Sequence, residues 1–97
     1  MIRHVVLLSW LPEATAEQKQ EVLAGLATLP PLMAGLRSYS YGSDARIVDG
    51  NADLAIVADF DDVPSYLAYK DHPAHLDVLK NVIGPILRSR AAAQIQV

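Results

Sequence analysis

The sequence predicts an α+β domain built on one antiparallel four-stranded sheet with helices packed on one face. Three observations predict it. Runs rich in β-branched and aliphatic residues, or alternating in polarity, fall at 2–10, 36–42, 52–60 and 89–97. Helix-periodic segments separate the first run from the second and the third from the fourth, while a tight turn signal, "DGN" at 49–51, joins the middle two. The whole chain is 97 residues, the size of a single domain spanning 1–97.

The first strand, "IRHVVLLSW" at 2–10, stops before Pro12. Ile2, His4, Val6, Leu8 and Trp10 share one face, and Arg3, Val5, Leu7 and Ser9 the other. Both faces are mainly apolar, which predicts a strand covered on both sides. "TAEQ" at 15–18 is a capping box, and Val22, Leu23, Leu26 and Leu29 recur at helical spacing before Pro30 and Pro31. The first helix is therefore expected over 16–29. In the second strand the alternation puts Arg37, Tyr39 and Tyr41 on one face and Leu36, Ser38 and Ser40 on the other. In the third, Leu54, Ile56, Ala58 and Phe60 form the apolar face.

Asp61 or Asp62 caps the next helix, with Pro64 suited to its first turn. Asp59, Asp61 and Asp62 together read as a solvated charge run. "HPAH" at 72–75 breaks the helix in two, because a proline cannot extend the helix before it but can open a new one. In the second piece His75, Val78, Leu79, Val82, Ile83 and Ile86 form an apolar stripe, ended or kinked at Gly84-Pro85. Trp10 and Tyr66 are expected in the core or at an interface. The alternating "QIQV" completes a last strand.

The order β-α-β-β-α-β, with its second helix broken, is the ferredoxin-like split arrangement. Its helices cover one sheet face only. The other face would show Val5, Leu7, Tyr39, Tyr41, Ala55 and Val57, too apolar to stay wet. In a chain this short, 52% apolar residues exceed what one small core hides. The expected partner is a second copy of the chain, with the two sheets face to face as a dimeric α/β barrel and the tyrosines ordering the interface. The net charge of −3, with no basic block, argues against a nucleic-acid surface. No cysteine is present, so disulfides and thiolate metal sites are excluded. The N-terminal apolar run is too short for a membrane span and lacks a cleavage site, so a cytoplasmic location is the expectation. No phosphate loop, nucleotide fingerprint or Ser-His-Asp spacing occurs.

The segment "AYKDHPAHLDV" at 68–78 holds two of the three histidines. Together with His4 in "IRHVVLLSW", the pattern Tyr69, His72, Pro73 and His75 resembles the stress-responsive dimeric α/β-barrel (Dabb) family, and the resemblance covers nearly the whole chain. It implies a ferredoxin-like protomer and a homodimer. It also implies, by similarity to plant polyketide cyclases of the olivetolic acid cyclase type, cofactor-free aldol chemistry on a small apolar carbonyl compound. On that resemblance His75 and Tyr69 are the catalytic pair, and His4 lines their pocket. Leu26 and Leu54 stand where the cyclase has a pocket tyrosine and a pocket histidine. With His72 they are the expected substrate-contacting residues, in a less polar pocket.

The residues themselves leave two readings open. A neutral imidazole at position 75, kept uncharged by burial, suits proton abstraction beside a carbonyl, with the Tyr69 hydroxyl donating to the developing enolate. Equally, His75 can be a core histidine satisfied by a hydrogen bond, and His4 can be bonded structurally to His75 or Tyr69. The corresponding functions are a cofactor-free cyclase, lyase or isomerase, and a non-catalytic stress-related or small-molecule-binding homodimer. His72 and His75 are three residues apart, but Pro73 breaks the helix between them and no carboxylate cluster accompanies them, so no metal is expected.

Overall fold

The computed structural model describes residues 1–97. Its strands are β1 (Ile2–Trp10), β2 (Leu36–Ser43), β3 (Leu54–Phe60) and β4 (Leu87–Gln96), and its helices α1 (Ala16–Ala27), α2 (Val63–Asp71) and α3 (Pro73–Val78). The capping box forms: the Gln18 amide N–H donates to Thr15 Oγ1 at 3.1 Å, and the Thr15 N–H to Gln18 Oε1 at 2.9 Å. α1 ends two residues short of expectation. There the Thr28 hydroxyl donates to the Gly25 carbonyl at 2.7 Å, and Pro30 and Pro31 start a 3-10 turn. Asp62 caps α2 by accepting the Ser65 N–H at 2.9 Å.

All strand pairs are antiparallel, in the order β2-β3-β1-β4, the ferredoxin-like sheet. Beneath the helices lie Val6, Leu8 and Trp10 of β1, with Leu54, Ile56, Ala58 and Phe60 of β3. Val22 and Leu26 of α1, Tyr69 of α2 and Val78 of α3 close on them. The stripe expected from His75 to Ile86 is not one continuous helix. After α3 the chain makes a wide turn, Leu79–Ile83, in which the Gly84 N–H reaches back five residues to the Leu79 carbonyl. A Cβ at Gly84 would sit 2.9 Å from that oxygen, so the turn requires glycine, and Pro85 then enters a 3-10 turn. The extra residue rotates the stripe. Val78, Ile83 and Ile86 stay buried, while Leu79 swings to the edge, 36% exposed.

Two expectations need correction. Tyr39 and Tyr41 do not lie on the open sheet face. β2 bulges between Leu36 and Ser38, and the extra residue inverts the alternation after it. Tyr39 therefore pairs with Ala58 and Tyr41 with Ile56, on the helix side, and both pack against the core. Asp59 is not a solvated charge either. It is 7% exposed, it receives Arg3 Nε and Nη2 at 2.7 and 2.9 Å, and it accepts from the Ser38 hydroxyl at 3.1 Å.

The open face carries Val5, Leu7, Ala55 and Val57, joined by Ala91, Ala93 and Ile95 of β4, which stand opposite Leu7, Val5 and Arg3. Leu7 is 44% and Ile95 48% exposed. No helix is long and apolar enough to cross a membrane.

Candidate active site

The break between α2 and α3 determines the state of His75. In an unbroken helix the Lys70 carbonyl would take the N–H of Ala74. Pro73 holds His72 extended at ψ 133°, and the Ala74 N–H donates instead to His72 Nδ1 at 3.0 Å. The Lys70 carbonyl is left free and lies 3.0 Å from His75 Nδ1. A carbonyl only accepts, so Nδ1 carries the proton of the neutral ring and Nε2 keeps its lone pair.

Tyr69, in the last turn of α2, is 3% exposed. Its ring centroid lies 4.2 Å from that of His75, and its hydroxyl is 3.3 Å from the Tyr39 hydroxyl. His4 enters from β1 with its ring 4.9 Å from Tyr66 and 6.1 Å from Tyr69. Its hydrogen-bond partner is neither Tyr69 nor His75. The Gln94 side-chain nitrogen on β4 donates to His4 Nδ1 at 2.9 Å, which puts the His4 proton on Nε2. The two imidazoles thus have opposite tautomers, one offering a lone pair at Nε2 and the other an N–H.

These groups line a cleft of about 360 Å³ between the sheet and α2–α3, within the range of about 300–1,000 Å³ typical of small-molecule sites. Its apolar wall is Leu8, Leu76, Leu79, Ile83 and Leu87, and its polar wall is His4, Tyr66, Tyr69, Lys70, Asp71, His75 and Arg90. A recess of only about 40 Å³ continues inward to Val6, Leu26 and Ile56.

Burial lowers the His4 pKa to about 4, with Arg90 and His75 adding in the same direction. It also lowers that of His75, opposed in part by the hydrogen bond to Lys70. Burial raises both Tyr69 and Tyr39. At neutral pH the cleft therefore holds two uncharged imidazoles beside the protonated phenol of Tyr69, itself in contact with the protonated Tyr39, which is the protonation pattern for a base working beside a hydroxyl donor.

Of the residues expected from sequence, the fold brings His4, Tyr69 and His75 together, with Leu26 at the floor of the recess. His72 caps α3 and does not line the cleft. Leu54 is a core residue, 2% exposed, whose other side meets a hollow beneath Gly50–Ala52. Sequence reasoning missed Tyr39, Gln94 and Arg90. The last two are signalled only by register: Gln94 stands opposite His4, and Arg90 opposite Leu8. No three histidine, cysteine, aspartate or glutamate side chains cluster as metal ligands.

The Dabb family profile, described as Stress responsive A/B Barrel Domain, matches residues 2–97. Among solved structures the chain is similar to a dimeric ferredoxin-like protein of unknown function from Thermobifida fusca. The two are 38% identical with a TM-score of 0.92, over 99% of this chain and 90% of that one. A Dabb family protein from Mesorhizobium loti shares the fold at 16% identity and a TM-score of 0.79, over 99% and 95%. So does a hydroxynitrile lyase from Passiflora edulis, at 16% identity and a TM-score of 0.84, over 99% and 92%. A comparison with curated proteins finds no match.

Proposed function

The chain belongs to the stress responsive A/B barrel (Dabb) family, and from that premise we propose that it is a cofactor-independent enzyme abstracting a proton beside the carbonyl of a small, largely apolar compound. One observation carries the reading. The Lys70 carbonyl holds the proton of His75 on Nδ1, so that Nε2 is the free acceptor of a ring lining the cleft next to Tyr69. The C–H bond breaks toward Nε2. The electron pair delocalises onto the carbonyl oxygen, where the Tyr69 O–H or the His4 Nε2–H donates to the enolate. The enolate carbon then attacks a second carbonyl of the same molecule, and the imidazolium returns its proton to the new alkoxide. If instead the proton returns at another carbon, the outcome is isomerisation. A hydroxynitrile lyase on the same fold is consistent with the scaffold hosting a lyase activity.

The reading includes a homodimer through the open sheet face. It is supported by the exposed apolar residues there and by the dimeric description of the Thermobifida relative. A second reading, a small-molecule-binding homodimer without turnover, is favoured by the narrowness of the recess, where Leu26 is 1% exposed.

Deuterium wash-in separates the two. The α-hydrogens of methyl 7-oxooctanoate and 7-oxooctanoate are followed by proton NMR in D2O against an equal concentration of free imidazole. The enzyme reading expects exchange on at least one of them about 10²-fold or more above that background, abolished in His75→Ala. Exchange at the imidazole background, or undiminished in the variant, refutes it in favour of the binding reading.

A further inference from the structure

We infer that Arg90 is a carboxylate anchor, and that the cleft selects small monocarboxylic acids with an apolar body. This deepens the reading above by naming the substrate class, and rests on it only for the identity of the cleft as the reacting site. Arg3, Arg37, Arg46 and Lys70 each have an aspartate partner. The basic side chains without one are Lys19, Lys80, Arg88 and Arg90. Of these four, Arg90 alone lines a cavity, and it borders both the cleft and its inner recess. It also makes no side-chain hydrogen bond to any other residue, whereas every other ionisable group of the wall except Tyr66 does: His4 to Gln94, Tyr69 to Tyr39, His75 to Lys70 and Lys70 to Asp71.

The register explains how it gets there. Arg90 sits opposite Leu8 on β1, four pairs along the register from Gln94 opposite His4, so Arg90 and Gln94 rise on the same side of the sheet. A guanidinium presents a planar fork that matches a carboxylate with two parallel hydrogen bonds. Lys70 is paired with Asp71, so the mouth has one uncompensated positive charge, suited to a singly charged head. The leucine and isoleucine wall then takes the hydrocarbon body of the ligand. Burial, and to a lesser extent this same guanidinium, push the pKa of both imidazoles down, so both rings stay uncharged beside the anchor.

Binding tests this without requiring turnover. Octanoate and methyl octanoate are titrated into the folded protein by calorimetry, with Arg90→Gln, His75→Ala and, as a control for total charge, Arg88→Gln. Arg90 and Arg88 are both exposed on β4, and circular dichroism verifies that each variant keeps the fold. The expected result is octanoate binding at least about tenfold tighter than the ester. That preference disappears in Arg90→Gln and survives in Arg88→Gln and His75→Ala. Equal affinity for acid and ester, no acid binding at millimolar concentration, an unaffected Arg90→Gln, or an equal loss in Arg88→Gln overturns the inference. Wild-type wash-in no faster than that of free imidazole, with the acid preference intact, would instead sink the catalytic reading and leave the anchor standing.

Discussion

His4 makes the domain acid-sensitive in a pH window that its carboxylates do not share. In the unfolded chain its imidazole titrates near 6.5, and in the fold burial lowers this to about 4. Below about pH 6.5 the unfolded state therefore binds a proton that the folded state refuses. Stability is complete above that value, falls between 6.5 and 4, and levels off once both states are protonated. The limiting slope is about 1.4 kcal/mol per pH unit, giving about 3.4 kcal/mol as an upper bound across the window. The ring forms the wall of an open cleft, and solvent screening brings the expected loss to about 1–2 kcal/mol. In a domain this size that corresponds to a Tm shift of about 4–16 °C. His75 acts in the same direction, so the two must be separated by substitution. Urea unfolding is followed by circular dichroism from about pH 8 to 4.5, at one protein concentration because association also shifts stability. In His4→Gln the amide can still meet Gln94 but does not titrate, and the pH profile should flatten by that 1–2 kcal/mol. Asp53, Asp59 and Asp62 have folded pKa values below 3.8, so their stabilisation is lost only at lower pH. Parallel profiles for wild type and variant through the window would refute the reasoning.

Tyr69→Phe should reduce α-hydrogen wash-in by about 10²-fold, the typical cost of removing one oxyanion donor, while leaving octanoate affinity within about twofold; an unchanged rate would remove Tyr69 from the chemistry. Val57→Asp places a charge at the centre of the open sheet face. Sedimentation at micromolar concentration should show the wild type as a dimer and the variant as a folded monomer, and a monomeric wild type would refute the sheet-face dimer. Gly35 has φ +78°, and an added Cβ would collide with the Ser65 side chain, lying 2.7 Å from its Cβ, whereas Gly50 has φ +86° in open space. Chemical denaturation should therefore show Gly35→Ala costing about 2–3 kcal/mol and Gly50→Ala about 1 kcal/mol; equal costs would mean that the contact with Ser65 relaxes freely.

The sheet and the order of elements were legible because both depend on periodicity and punctuation, which are local. Thr15 and Gln18 signal one helix start, Asp62 and Pro64 another, and Pro73 the break. What could not be read was phase. A single bulge at Arg37 moves Tyr39 and Tyr41 from one sheet face to the other, and strict alternation has no means of showing it. As a result the phenol that meets Tyr69 was expected on the dimer face. The residues of β4 were hidden for the same reason. "SRAAAQ" carries no pattern that fixes its pairing, and only the register opposite Leu8 and His4 sends Arg90 and Gln94 to the cleft.

The histidines of "HPAH" divide the work between them, and Pro73 explains why they need each other. A helix that merely ended at Asp71 would leave several carbonyls without donors and the Ala74 N–H without an acceptor. His72 supplies that acceptor through Nδ1, which keeps the Ala74 N–H away from the Lys70 carbonyl. His75 then donates to that carbonyl, and the bond determines which of its nitrogens can act as a base. The residue that never touches the cleft thus governs the tautomer of the one that does. What His72 holds is the backbone that orients His75.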